Sequence, residues 1–250
     1  MIMKTSVLLF TLISFTGIFS LQAQESNEAA TILEKVDKNL SAQNRIFESS
    51  MTIHGRRTSR TITSKSRTRG EKEALTEYLS PASEAGTKML KLENQLWIYT
   101  PSADRTIQIS GHMLRQSVMG SDLSYEDMMD DRKLTEVYSA EVIARDTLRG
   151  ERVVLLQLTA RSSDVAYPVQ KMWIDAEKFV PLRQEMYARS GQLLKRVDLF
   201  DVRRIQNRWF PMRMVYRDML KTGGGTEFTV TSIAFDTLIP EHIFSKASLR

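Results

Sequence analysis

The chain has no cysteine. That excludes disulfides, thiolate metal sites, cysteine nucleophiles and a lipid anchor on an N-terminal cysteine. Its 3 histidines, His54, His112 and His242, stand far apart and share no ligand spacing, so no metal site is expected. No nucleophile elbow, phosphate loop or dinucleotide fingerprint is present, and Gly223-Gly224-Gly225 lacks the spacing to cradle a phosphate. Neither an enzyme nor a cofactor is expected. Proline (6) and glycine (11) are too few and too scattered to mark a linker, and there is no internal repeat, which argues for one domain. Beyond the N-terminus no apolar run approaches the roughly 20 residues a membrane-spanning helix needs.

What is present begins with a leader. Lys4 precedes an almost unbroken apolar run over 7–19, and Ser20-Leu21-Gln22-Ala23 offers a cleavage site. This layout predicts a secretory signal over 1–23, cleaved near Ala23, and a single domain over 24–250. Export directs the modest +5 charge toward acidic partners or anionic surfaces, and no nucleic-acid partner is expected.

Residues 26–43 read as a helix, with Ile32, Leu33, Val36 and Leu40 on one face. From Ile46 the period changes to two. Phe47, Met51 and Ile53 share one side of a strand, and the next strand is polar on both faces. Further strands follow over 74–79, 88–92, 95–99, 105–110, 137–147, 152–160, 169–175, 182–188, 193–200, 208–219 and 226–235. Glu93-Asn94, Arg149-Gly150 and Ser190-Gly191 supply the turns, and 239–244 suits one short helical turn. This spacing predicts an antiparallel sheet that curls strongly, closed or half-closed.

Residues 111–131 interrupt the strands with GHMLRQSVMGSDLSYEDMMDD. The segment holds 4 of the 13 methionines, whose flexible side chains adapt to changing apolar partners. Its acids, Asp122, Glu126, Asp127, Asp130 and Asp131, lack the glycine-bearing ligand loop of a calcium site. They read instead as a short helix, with Ser124 and Asp127 resembling a capping box. Upstream, Arg56, Arg57, Arg60, Lys65, Arg67 and Arg69 crowd one hairpin. The run is either a solvated edge that deters aggregation or a docking face for an acidic partner.

Residues 86–129 read GTKMLKLENQLWIYTPSADRTIQISGHMLRQSVMGSDLSYEDMM. This resembles the outer-membrane lipoprotein-sorting family, the LolA-like carriers, and within it a branch with the pattern GxKML…LWIY-PS…RISGHMLRQS-MGSDFSYEDM. Leu123 stands where that pattern has phenylalanine, and Gln108 where it often has arginine. The resemblance implies a mainly β fold with some α: a half-open antiparallel β-barrel with an N-terminal helix and a helical lid over an apolar cavity. It further implies a monomeric periplasmic carrier for the acyl chains of lipoproteins or lipids, bound for the outer membrane. An inner-membrane exporter or an outer-membrane acceptor would then be its partner. Within that frame the lid is expected to use Met113, Leu114, Met119, Leu123, Tyr125 and Met128, hinged at Gly111 and Gly120, with its acids keeping the outer face wet. Strand alternation nominates cavity rows at Leu96 and Ile98, at Val154, Leu156 and Leu158, and at Phe210, Met212, Met214 and Tyr216. The alternative is a soluble accessory module that carries nothing and docks on an RND-type exporter or envelope complex through the basic hairpin.

Overall fold

A computed structural model describes the backbone over residues 17–250 and side chains from Asn27 onward. The expected leader, residues 1–23, lies outside the described side chains. Helix α1 spans Gly17–Leu40, starting before the expected position 26. No glycine or proline follows Gly17 within it to break the helix. It ends at Leu40 instead of Gln43, whose N–H donates to the Asp236 carboxylate at 3.0 Å.

Thirteen strands form one antiparallel sheet. They are β1 (Asn44–His54), β2 (Ser59–Arg69), β3 (Glu73–Ser80), β4 (Lys88–Leu92), β5 (Gln95–Thr100) and β6 (Arg105–Ile109), then β7 (Tyr138–Leu148), β8 (Glu151–Ala160), β9 (Val169–Asp175), β10 (Pro181–Tyr187), β11 (Leu193–Ile205), β12 (Arg208–Asp218) and β13 (Thr226–Phe235). The sheet order is β6-β5-β4-β3-β2-β1-β13-β12-β11-β10-β9-β8-β7. Two meanders thus meet at the β1–β13 pair, and β6 and β7 remain as edges. The sheet is open, and residues 110–137 run from one edge strand to the other. A register shift between Glu48 and Ser49 adds a bulge where the meanders join, which bends the strand.

Alternation decides what faces inward. On α1, Ala29, Ile32, Leu33 and Val36 recur at helical spacing and pack on Leu156, Leu158, Met172 and Ile174 of β8 and β9. Each such fully buried aliphatic side chain contributes about 1.5–3 kcal/mol. On the other meander, the inner residues Met51, Ile62, Tyr78, Met89 and Leu96 face the 110–137 segment. The opposite face of β3–β5 is closed by the C-terminal turns, where Leu249 and Ile243 pack over Leu75, Leu90 and Trp97.

Candidate functional site

The connecting segment is built of short turns. The 3-10 turns Gly111–Arg115 and Val118–Gly120 precede helix α2 (Tyr125–Met129), and helix α3 (Leu134–Val137) leads into β7. Gly120 has φ +76°, a conformation that favours glycine. Ser124 caps α2 reciprocally: the Asp127 N–H donates to its hydroxyl at 3.2 Å, and its own N–H donates to the Asp127 carboxylate at 2.6 Å.

The segment is fastened to both meanders. Asp127 also accepts from Tyr167 at 2.6 Å and from the Lys195 ammonium. Asp131 accepts from Arg45 at 2.8 Å and Lys91 at 3.2 Å. Asp122 accepts from the Asp218 N–H at 3.0 Å and the Thr226 hydroxyl at 2.6 Å. Three of the acids expected to wet the outer face therefore turn inward, because the sheet presents them with buried cations and donors. Lys91 is the least accessible of the cations. Its ammonium satisfies its remaining donors on the carbonyls of Glu71 and Met129.

Two cavities lie within the sheet. The larger, about 1530 Å³, opens between the end of α1, the α2–α3 region and the inner wall of β9–β12. Met172, Met186, Val197, Leu199, Phe210 and Met214 form its apolar wall, while charged groups of both signs gather at its rim. The smaller, about 230 Å³, lies under the segment and between β1 and β5. Arg45, Asp127, Asp131 and Tyr216 line both, so the fastened carboxylates stand at the partition.

The nominated residues divide among these places. Phe210, Met214 and Tyr216 line the larger cavity, and Met212 is buried and lines neither. Leu96 lines the smaller, and Ile98 packs beside it with Met113, Leu114, Tyr125 and Met128. Leu123 and Met128 roof the smaller cavity, and Met119 joins the same apolar cluster. The row of Val154, Leu156 and Leu158 does not line a cavity. α1 lies directly on it, and Leu156 and Leu158 have no exposure. Sequence reading missed Val118, which is also in the roof, and the fastening cations Arg45, Lys91 and Lys195. Lys91 left a trace in the sequence KMLKL, where it falls on the same face as Met89.

Half of the basic hairpin's charges are neutralised locally. Lys65 pairs with Glu48, Arg60 with Glu84, and Arg69 with Glu73 and Glu241. Arg60 also donates to the Met119 carbonyl of the covering segment, and Arg56 donates to Thr222. Among the described residues, only Arg57 and Arg67 of the run make no side-chain hydrogen bond or ion pair. A single free basic face is therefore not what the hairpin presents, since β1 and β3 supply acids across the ladder.

Burial raises the pKa of several tyrosines around the larger cavity. Tyr167 is held well above the ordinary phenol range by burial and then by Asp127, so it stays a neutral donor. Tyr138 is pushed up to about 12, chiefly by burial; it accepts from Gln170 at 2.6 Å and donates to the Tyr167 carbonyl at 3.1 Å. A folded-state pKa raised above the unfolded value of about 10 gives stability that is intact below pH 10 and lost as pH rises toward 12. Urea midpoints are thus expected to fall steadily from about pH 10 upward. Tyr138→Phe should make that decline shallower, and an unchanged slope would rule out this tyrosine's contribution.

Among the described residues, no group of His, Asp and Glu is placed to hold a metal ion, and no helix is long and apolar enough to cross a membrane.

Residues 70–250 match the model of a family described as "Uncharacterized protein". The chain belongs to that family. No curated protein matches it in sequence. Among solved structures, it is similar to a DUF1329 family protein from Desulfovibrio piger, at TM-score 0.82 and 20% identity, over 90% of this chain and 99% of that one. It is also similar to a domain provisionally described as outer membrane lipoprotein-sorting from Vibrio parahaemolyticus, at TM-score 0.78 and 22% identity, over 90% and 99%. A LolA superfamily protein from Nitrosomonas europaea follows at TM-score 0.73 and 24% identity, over 88% and 98%. The fold of this family member is LolA-like: an open antiparallel sheet with few helices.

Proposed function

We propose that the protein is a periplasmic carrier that binds acyl chains of lipoproteins or lipids for transfer toward the outer membrane. One observation carries this reading. A large apolar-walled cavity inside an open sheet sits beside a covering segment held by ion pairs at the partition, in a fold shared with lipoprotein-sorting proteins. An acyl chain in water costs about 0.8 kcal/mol per CH₂, and an apolar wall of methionines, leucine and phenylalanine offsets that cost. A fastening made of Asp127–Lys195 and Asp131–Arg45 differs from an apolar seal, because its charges regain water when they part. The cover is therefore firm when closed without being fixed.

A carrier needs no reacting groups, and no catalytic role is assigned to any side chain. The second reading, a non-carrier module docking on an exporter, would rest on the half of the basic hairpin without acidic partners, Arg56, Arg57 and Arg67.

The carrier reading is tested by titrating the purified protein with a fluorescent fatty-acyl probe. Saturable binding with a blue-shifted probe is expected, changing little with salt because apolar contacts are not screened. Absence of binding, or binding abolished by moderate salt, would remove the cavity from the account. Periplasmic placement rests on the leader. N-terminal sequencing of protein from the envelope fraction is expected to begin near Gln24, whereas an intact Met1 in cytosol would end the periplasmic assignment.

A further inference from the structure

The smaller cavity has an unusual wall. Most of its lining is apolar, yet the inner faces of β2 and β3 present Ser64, Ser66, Thr68 and Thr76 to it, all buried. The strand register sets them in a row. Ser64 lies opposite Ser49 on β1, Ser66 opposite Thr76 on β3, and Thr68 opposite Arg45. Ser66 and Thr76 share a hydrogen bond of 2.8 Å, and Ser49 and Ser64 share one of 3.0 Å. Two hydroxyls joined by a single hydrogen bond have one proton to spare. Thr68 accepts from the Arg45 Nε at 3.1 Å, which leaves its own proton unused. A buried donor without an acceptor costs about 1–3 kcal/mol. The wall thus offers a line of donors to a ligand that brings acceptors.

The surroundings orient that ligand. Beyond Ser64, toward the far end of β2, Met51, Ile62 and Leu123 form one apolar cluster. At the other end, Arg45 touches Thr68 and also lines the larger cavity. We infer that the smaller cavity takes one acyl chain by its carbonyl: the ester or amide C=O accepts the one free proton of the Ser66–Thr76 pair and that of Thr68, the tail lies against Met51, Ile62 and Leu123, and the headgroup passes Arg45 toward the larger cavity. This rests on the carrier reading and narrows it. The cargo is an acylated molecule, selected by its linkage as well as by its hydrocarbon.

The test uses the mature chain and two probes that carry the same fluorophore, a monoacyl glycerol ester and the matching alkyl glycerol ether, which lacks only the carbonyl. Wild type is expected to bind the ester roughly 3- to 10-fold more tightly, the worth of about one net hydrogen bond. In Ser66→Ala/Thr76→Val the ester should weaken toward the level of the ether, whose own binding moves little, and adding Thr68→Val should bring the two together. Removing both hydroxyls together leaves no orphan between them, so folding is expected to survive, and retained ether binding verifies it. Competition then separates the sources of such a carbonyl: a diacyl phospholipid and a synthetic diacylated peptide are each tried against the ether probe, and displacement by either supports the inference. Equal affinity of wild type for ester and ether overturns it, and so does a double variant that loses both probes together. Persistent ether binding that neither competitor displaces overturns it as well. Failure of both probes in wild type overturns this inference and the carrier reading together.

Discussion

Asp127→Ala is expected to destabilise the protein by about 3–5 kcal/mol, the cost of breaking a buried charge pair from one side. The side chains of Asp127 and Lys195 are 14% and 11% exposed, so the lysine left behind has little water to turn to. The same carboxylate caps α2 through Ser124 and accepts from Tyr167, so one substitution also removes a helix cap and strands a buried phenol. A cap alone is worth about 0.5–2 kcal/mol. Ser124 and Lys195 use one carboxylate oxygen of Asp127 and Tyr167 uses the other. Asp127→Asn keeps one accepting oxygen, enough for the Ser124 cap or for Tyr167, so its loss should be smaller than that of Asp127→Ala. Urea unfolding of both variants reads this directly. The carrier account adds a kinetic expectation: with the partition unfastened, an acyl probe should enter and leave Asp127→Asn faster than wild type. Equal stability of Asp127→Ala and wild type would mean that the covering segment is held by its apolar contacts alone.

Leu156→Ala is expected to lower the unfolding free energy by about 2–5 kcal/mol, whereas Met214→Ala should cost clearly less than that range. The two residues look alike in sequence, each on the apolar face of an alternating strand. Leu156 lies under α1 with no exposure, and its removal leaves a void that Ala29, Ile32 and Leu33 cannot fill without moving the helix. Met214 faces open space on one side, so its side chain has already forfeited part of the packing that an interior residue enjoys. The same pair should reverse its order in acyl-probe affinity, with Met214→Ala the weaker binder. If both substitutions cost the same, the β12 row would be solid core and the larger cavity would have no apolar wall to offer.

The local rules were legible from the residues. The alternation that nominated Leu96 follows from strand geometry, which sends successive side chains to opposite faces. On β12 it applies only in part, since Phe210 and Met214 line the larger cavity with Pro211 while Met212 lines neither. The Ser124–Asp127 cap needed only a spacing of three. What could not be read was which element would lie on which face. Leu156 and Leu158 read as cavity wall because nothing near them in sequence announces that α1, more than a hundred residues earlier, lies across them. For the same reason β2 read as polar on both faces. Its inward serines and threonines acquire meaning only from the register with β1 and β3, which sets them in a row under an apolar roof. The acids of the 111–131 segment read as solvent-facing because their cations, Lys91, Arg45 and Lys195, sit on three different strands.

The most direct test of the carrier account is to purify the mature protein from the envelope without detergent, extract it with organic solvent and measure the extract by mass spectrometry against an unrelated periplasmic protein prepared in the same way. The account predicts acyl-bearing species enriched in the extract, and their depletion when Met214→Asp places a charge in the apolar wall. An extract indistinguishable from the control, from protein that also fails to take up an acyl probe, would contradict it.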